Sequence, residues 1–460
     1  MLNKIQSNPM LLAGVSVLKK LNDANHTALM VGGCVRDLVL GQDVHDCDIC
    51  TSAEPHEVEE VFGRVYDIGA SKDFGIVTIN EDGFSFEIAT FRTETGSINN
   101  RKPEEVTLVK DFKEDAARRD FTINSLGLDA NGNIIDHFNG VAHINEEVIK
   151  AVGNPSERFE EDALRILRCV RFAAKLGFDI DPKTRDAAIR NRHLINNLSA
   201  ERIQQELVKM SSLSGTKFAN AILIMKDLKI LGIVLPEVAH LNQFPHSPQH
   251  HPEGNVQKHV LSALCQNKIA DPLINLSILF HDVGKNSSTY KLRDGKHTYY
   301  GHDNAAIPLI NGICDRLKFS NDERDCFLFS AINHMKMHRA TEIKPSKIAA
   351  IMNHKFFDVL KHVSFCDDAS RLHLFDEERF NANMAKIEAI NIKFGKSSPT
   401  SITKMINGKR IIELTSMTPS KKFSEIIKIV SEIVINSDIT DQSEIDNLIV
   451  KTVNKINHNE

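Results

Sequence analysis

Two acidic residues one position apart, Asp46 and Asp48, stand in the run Asp46-Cys47-Asp48-Ile49. In an extended strand, residues two apart point to one face. Carboxylates side by side repel unless cations sit between them. Hard oxygen ligands suit Mg²⁺, which is commonly shared with substrate phosphates. Two such ions can clamp the attacking and leaving oxygens of a phosphoryl displacement. Just upstream, Gly32-Gly33-Cys34-Val35-Arg36-Asp37 follows an apolar run. Its glycines let backbone amides approach a phosphate, and Arg36 adds a two-pronged donor. A third carboxylate is expected on a neighbouring strand. Glu87, in Phe86-Glu87-Ile88-Ala89, is an acid among apolar residues and needs a partner. Farther on, Arg118-Arg119-Asp120-Phe121-Thr122-Ile123-Asn124 offers two guanidiniums, a carboxylate and an amide that can hold a triphosphate and a ribose.

Asp162 and Arg165 are expected at i and i+3 on one helix face. A carboxylate accepts from an exocyclic amine and a guanidinium donates to ring acceptors. Cytosine and adenine both present an amine beside an acceptor nitrogen, whereas uracil and guanine present a carbonyl beside an N–H. Such a pair favours C and A without a nucleic-acid template. A second constellation lies downstream. Ile278-Leu279-Phe280-His281-Asp282-Val283-Gly284-Lys285 reads as an apolar helix ending in adjacent His and Asp. His259, His302, His334 and Asp367 are further ligand candidates, with Asp368 an alternative to Asp367. Mixed imidazole and carboxylate ligands suit transition metals or Mg²⁺. A bound metal lowers the pKa of water and supplies a nucleophile that cleaves phosphodiesters. His246, His250 and His251, in a Pro-containing loop, read as structural or substrate-lining.

The elements that must position these residues change character along the chain. Ala28–Gly33 and Asp46–Thr51 read as strands, with a helix over Val35–Leu40 between them. Ile76–Ile79 and Phe84–Ala89 read as a hairpin around Asp82-Gly83. After Pro155 the apolar spacing becomes helical to about Ser214. A further helical block runs from about Phe218 to Ile390, interrupted by polar loops at His240–Gly254 and Asn286–Gly301. From Lys396 on, two or three amphipathic helices are expected.

Composition bounds the rest. The 460 residues are 42% apolar and 25% charged, ordinary for a globular protein, which excludes collagen and wholesale disorder. A formal charge of −5 gives no global basic field, so nucleic acid must be held by a local patch. With no Trp and 4 Tyr, an aromatic platform for single strands is disfavoured. The 8 Cys are scattered and read as reduced thiols, and Cys47-x-x-Cys50 has no second pair nearby for zinc. The start lacks the pattern of a secretory signal, and no run approaches the roughly 18 apolar residues of a membrane span. A cytoplasmic protein that does not engage a membrane is expected.

Taken in order, G-G-x-V-R-D, D-x-D, R-R-D-F-T-I-N-S-L, Asp136-His137-Phe138-Asn139-Gly140 and Glu161-Asp162-Ala163-Leu164-Arg165-Ile166-Leu167-Arg168 resemble the bacterial class of CCA-adding tRNA nucleotidyltransferases, of the DNA polymerase β superfamily. Bacterial poly(A) polymerases share the same head. The likeness covers about residues 25–215. It implies that Asp46 and Asp48 bind Mg²⁺ and that Gly33, Arg36 and Arg119 contact the nucleoside triphosphate. It also implies that Asp162, Arg165, Arg168 and Arg171 contact the nucleotide from a helical neck. The implied partners are tRNA, CTP and ATP. Where the family usually reads D-P-F-G-G, this chain has His137 and Asn139, in a tract that supports the fold more than the chemistry. Poly(A) polymerases of the family carry a basic tract after D-x-D. Gly63–Gly69 and Ser71–Gly75 lack it, which favours tRNA end synthesis. Thr93–Pro103 resembles the flexible loop associated with the final A, which is shortened in CC-adding enzymes. Full CCA addition is therefore expected, with poly(A) synthesis or partial CC or A addition as alternatives.

His259, His281, Asp282 and Asp367 match the H…HD…D set of the HD phosphohydrolase superfamily over about residues 240–370. His302 and His334 resemble the extra ligands of two-metal versions. The implied cofactor is a divalent metal, with Mg, Mn, Ni and Fe equally compatible, and the implied activity is phosphatase and 2′,3′-cyclic phosphodiesterase. A purely tRNA-positioning domain is the rival. Two other classes, an HD hydrolase with an inactive head and an RNA-binding protein, are disfavoured by the intact Asp46/Asp48 pair. The expected fold class is a mixed α/β nucleotidyltransferase head (1–145), then a mostly α-helical neck (146–215), HD domain (216–395) and tail (396–460).

Overall fold

The computed structural model describes residues 2–66, 75–96, 105–246, 254–294, 296–371, 374–395, 398 and 401–458. His250, His251, Lys396 and parts of the Ser71–Gly75 and Thr93–Pro103 segments lie outside them. The chain falls into two compact units, 1–210 with 220–236, and 211–219 with 237–460.

The first unit is built on a six-stranded sheet in the order Ile76–Glu81, Phe84–Thr90, Asp48–Thr51, Ala28–Val31, Gly127–Leu128, Ile134–Ile135. The expected hairpin is present, Ile76–Glu81 antiparallel to Phe84–Thr90, and Asp82 turns it at φ +48. Ala28–Val31 is buried on both faces. Ala28 and Met30 meet Leu18 and Leu21 of the helix Pro9–Asp23, while Leu29 and Val31 pack with Phe91 and Phe112. This alternation fixes which way every side chain of the strand points. The strand stops at Val31 rather than Gly33. Gly32 turns at φ +74, a conformation that favours glycine, and the helix Gly33–Val39 begins at once.

Two sequence expectations are corrected here. The strand expected from Asp46 begins at Asp48, opposite Val31. Asp46 instead accepts a hydrogen bond from the Cys47 amide (3.0 Å), a local contact that competes with the ladder. Cys47 is buried between the exposed Asp46 and Asp48, so the two acids still share a side. Asp162 and Arg165 do not share a helix face. Asp162 is the extended joint (φ −144, ψ 104) between helices Pro155–Glu161 and Leu164–Leu176. Its carboxylate accepts from the Leu164 amide (3.0 Å), capping the second helix and breaking the first.

Among its described residues the second unit is mostly helical, with one two-stranded ribbon. Helices Val256–Gln266, Pro272–Phe280, His302–Leu317, Asn321–Met337 and Phe357–Ala369 pack together. Gly408–Thr415, Lys422–Asn436 and Gln442–His458 meet the expectation of amphipathic helices near the end, and share a core with Ile348, Ile387 and Ile390. The segment expected as a polar loop, Asn286–Gly301, holds the antiparallel hairpin Thr289–Arg293/Lys296–Tyr300. Its aromatic and β-branched residues flank Asp294-Gly295, a turn signal that outweighs the polarity of the segment. Among the described residues no helix is long and apolar enough to cross a membrane.

Candidate active sites

In the first unit, an open cleft of about 740 Å³ is lined by Asp46, Asp48, Glu87, Gly33, Arg36, Arg119, Asp162, Arg165, Arg168 and Arg171. The ten residues expected to bind metal or nucleotide in the head and neck therefore line one space. Asp48 and Glu87 come from adjacent parallel strands, where Ile49 pairs with Ile88. The Asp48 carboxyl is pushed up to about 6 by burial and by the charges of Asp46 and Glu87, with Arg119 opposing. Three carboxylates lining one cleft form a donor set suited to a divalent cation.

Opposite the acids lies a web of guanidiniums. Arg36, nearly fully buried, donates to Asn124 Oδ1 (2.7 Å). Asn124 donates in turn to Asp120 (3.2 Å), which accepts from Arg168 Nε (2.7 Å). Burial raises the Asp120 carboxyl, but Arg168 more than offsets it and holds it below its usual range. The guanidiniums of Arg36, Arg168 and Arg171 all stand over the Phe172 ring, at 5.3, 5.3 and 4.4 Å. Arg165 is held by Glu161 (2.7 Å) and by the carbonyls of Arg158 (3.1 Å) and Arg118 (2.9 Å). Planar forks fixed in this way are suited to phosphates and base edges.

Sequence reasoning missed three supports of this cleft. Asp115, fully buried, pairs with Arg118 (2.7 Å) and Arg119 (2.9 Å), which overcome burial and hold its carboxyl low. The Asp-x-x-Arg-Arg spacing was the available signal. Arg202 donates to Asp162 (2.9 Å) and Glu206 accepts from Arg171 (2.7 Å). Both come from the helix Ala200–Ser211, across a turn that spacing does not reveal.

In the second unit His259, His281, Asp282 and Asp367 meet in the interior, together with His302 and His334. Asp282 is central. Its Oδ2 lies 3.7 Å from His259 and 3.4 Å from His281, and its Oδ1 lies 3.5 Å from His302 and 3.7 Å from His334. Three imidazoles are aimed by backbone carbonyls. Nδ1 of His281, His302 and His334 donates to Ile278 (2.7 Å), Tyr299 (2.9 Å) and Ala331 (2.8 Å). Nδ1 of His259 meets Ser370 Oγ (3.1 Å). Each Nε2 then points its lone pair inward, as in metal centres with ordered outer partners. His281 Nε2 and Asp282 Oδ1 are buried with no hydrogen-bond partner. His259 Nε2 lies 2.8 Å from Asp367 Oδ1, near enough for the two to share a proton or a cation.

Burial lowers the basicity of His302 and His334. Asp282 stays far below its usual range despite burial, because Lys285 and His281 face it. Between the two candidate acids, Asp367 faces the cluster, whereas Asp368 pairs with Arg371 and Arg379. His338 was missed. It joins Asp367 (2.6 Å) to Asp368 (2.7 Å), and its four-residue spacing from His334 was the signal. His246 is buried, with its ring against His259 and Nε2 3.1 Å from Lys285 Nζ.

Comparison with known proteins follows the same division. Residues 28–150 match the poly A polymerase head domain, and residues 177–241 match the probable RNA and SrmB-binding site of polymerase A. The CCA-adding enzyme of Lactobacillus johnsonii is 46% identical over 207 residues, 45% of this chain and 52% of that protein. That of Lactobacillus delbrueckii subsp. bulgaricus is 49% identical over 195 residues, 42% and 49% of the two chains. The chain thus spans about half the length of the curated relatives it matches. The fold is shared more widely. The Bacillus stearothermophilus CCA-adding enzyme, solved with CTP, superposes with a TM-score of 0.68 at 22% identity, over 98% of this chain and 100% of that one. The Thermotoga maritima enzyme, solved with tRNA, gives 0.61 at 19%, over 97% and 96%. Residues 28–150 thus match the poly A polymerase head domain, and about 200 residues of the chain are similar to CCA-adding enzymes.

Proposed function

We propose that the chain is a metal-dependent CCA-adding tRNA nucleotidyltransferase, attaching C, C and A to the tRNA 3′ end from CTP and ATP. The observation that supports this most is the single cleft in which three acids face a web of guanidiniums. Asp46, Asp48 and Glu87 would hold Mg²⁺, which when bound activates the terminal sugar hydroxyl and neutralises charge on the triphosphate. The Gly33 backbone and the forks of Arg36 and Arg119 bind the phosphates, and the α-phosphate is attacked as pyrophosphate leaves. Asp162 and Arg165, lining the same cleft from either side of the helix break, read the amine and ring acceptor of C or A. Arg168 and Arg171, stacked with Phe172, close the base side. The tRNA and nucleotide substrates make the cytoplasm the compartment we infer.

The His–Asp cluster supports a second activity in the same chain, hydrolysis of phosphomonoesters and 2′,3′-cyclic phosphates. His259, His281, Asp282 and Asp367 would hold a divalent Mg, Mn, Ni or Fe ion, with His302 and His334 as further donors. Metal-dependent hydrolysis of bis(p-nitrophenyl) phosphate tests it. The activity should vanish in His281→Ala, and its persistence there would refute the assignment.

The synthetic activity is tested with tRNA lacking its 3′ end and each nucleotide in turn. Extension by CCA is the expected product. A long A tail would instead establish poly(A) synthesis, and arrest after CC, or addition of A alone, a partial enzyme.

A further inference from the structure

The chain has no Trp and 4 Tyr, and three of these, Tyr290, Tyr299 and Tyr300, lie on the hairpin Thr289–Arg293/Lys296–Tyr300. An overall scarcity of aromatics thus conceals a local concentration. The register pairs Tyr290 with Tyr299 and Leu292 with His297, so these four share one face. Lys291, Arg293 and Lys296 share the other with Tyr300. The first strand is exposed at every position, and Tyr290, Leu292 and Tyr300 are 44%, 56% and 58% exposed. A two-stranded ribbon is marginal alone in water, and one that leaves aromatics uncovered is built for contact. Lysines alone would be explained as guards against edge pairing; the aromatics beside them would not.

The ribbon is continuous with the His–Asp cluster. Tyr290 stacks on His297 (5.8 Å, 25°) and packs on Tyr299 (5.5 Å). Tyr299, at the buried root, donates its hydroxyl to the Pro245 carbonyl (2.6 Å) and lies under Lys285 Nζ (5.8 Å). Lys285 touches Asp282 (2.6 Å), and the Tyr299 carbonyl aims His302 (2.9 Å). Lys291 stands over the Tyr300 ring (5.3 Å). Among the described residues Lys291, Arg293 and Lys296 make no ion pair. Rings that stack on bases, next to cations left for phosphates, are the two components of a single-strand platform.

We propose that this hairpin binds single-stranded RNA and leads a 3′-terminal phosphate ester to the His–Asp cluster; only the second part rests on the hydrolase reading above. The missing Trp supplies the test. Tyrosine emission of the full chain reports mainly on this ribbon, and it is followed while penta-adenylate is added in EDTA, where no hydrolysis occurs. A saturable quench is expected, lost in the double variant Tyr290→Phe/Tyr300→Phe and kept in Tyr66→Phe. Lys291→Ala/Arg293→Ala should raise the Kd of the quench about tenfold, and added salt should raise it further. Equal quenching in the double Phe variant, an unchanged Kd in the Lys/Arg variant, or no quench at all overturns the proposal. Hydrolysis of bis(p-nitrophenyl) phosphate, which is too small to need the ribbon, reads the centre separately. A dead centre with an intact quench refutes the hydrolase alone, and an active centre without a quench refutes the platform alone.

Discussion

The two acid clusters of this chain are built on opposite plans. Asp46, Asp48 and Glu87 line the wall of an open cleft, where they can share a cation with a substrate. His259, His281, Asp282 and His334 are at most 2% exposed, each imidazole tied through Nδ1 before any ion arrives. An all-carboxylate site completes its coordination with water and substrate phosphates, so its ions come and go with the nucleotide. An imidazole site with fixed outer partners holds its ion as part of the structure. On the proposed reading, one chain would carry a metal site shared with its substrate and a metal site of its own.

The strongest way to break this contrast is Asp282→Ala. Asp282 faces all four imidazoles, so both halves of the buried cluster should lose metal together. Diester hydrolysis should fall by about 10³-fold, the scale of a lost electrostatic anchor, and metal analysis of dialysed protein would show the loss. Next in size is Asp115→Asn, which strands two guanidiniums in the head. Removing one partner of a buried ion pair costs about 3–5 kcal/mol, and urea unfolding of the head would register it. A variant as stable as the parent would mean that the cleft's arginines do not need their buried anchor. The third prediction sharpens the contrast by pH. Because Asp48 is pushed up to about 6, its carboxyl binds a proton as pH falls through that value and competes with metal. Head affinity for Mg²⁺ should drop about tenfold from pH 7 to pH 5. Burial lowers the basicity of His302 and His334, so the buried cluster should lose affinity less steeply than the head over the same range. Calorimetric titration at each pH compares the two.

What could be read beforehand divides along similar physical lines. The sheet hairpin was legible because Asp82-Gly83 interrupts two alternating apolar runs. The same dipeptide at Asp294-Gly295 is less legible, because Lys, Arg and His flank it and give the segment the polarity of a solvated loop. Asp162 was placed inside a helix on apolar period alone. The carboxylate's competition for the Leu164 amide, a local hydrogen bond that periodicity does not register, moved it to the joint. The His259, His281 and Asp282 grouping was legible through the H…HD…D pattern, in which Asp367 and Asp368 stayed open. Which of Asp367 and Asp368 faces inward depended on the rotation of Phe357–Ala369, and that is set by packing rather than by spacing. Arg202 acts on Asp162 across 40 residues, where one sequence holds no signal of proximity.

On the proposed mechanism, Asp46 and Asp48 would jointly hold the ions that drive nucleotide transfer. This is tested most directly by radiolabelled CTP incorporation into tRNA lacking its 3′ end, comparing Asp46→Ala and Asp48→Ala with the parent at saturating Mg²⁺. The account predicts that each substitution alone lowers incorporation by at least about 10³-fold while the chain remains folded. Incorporation at the parent rate in either variant would contradict it.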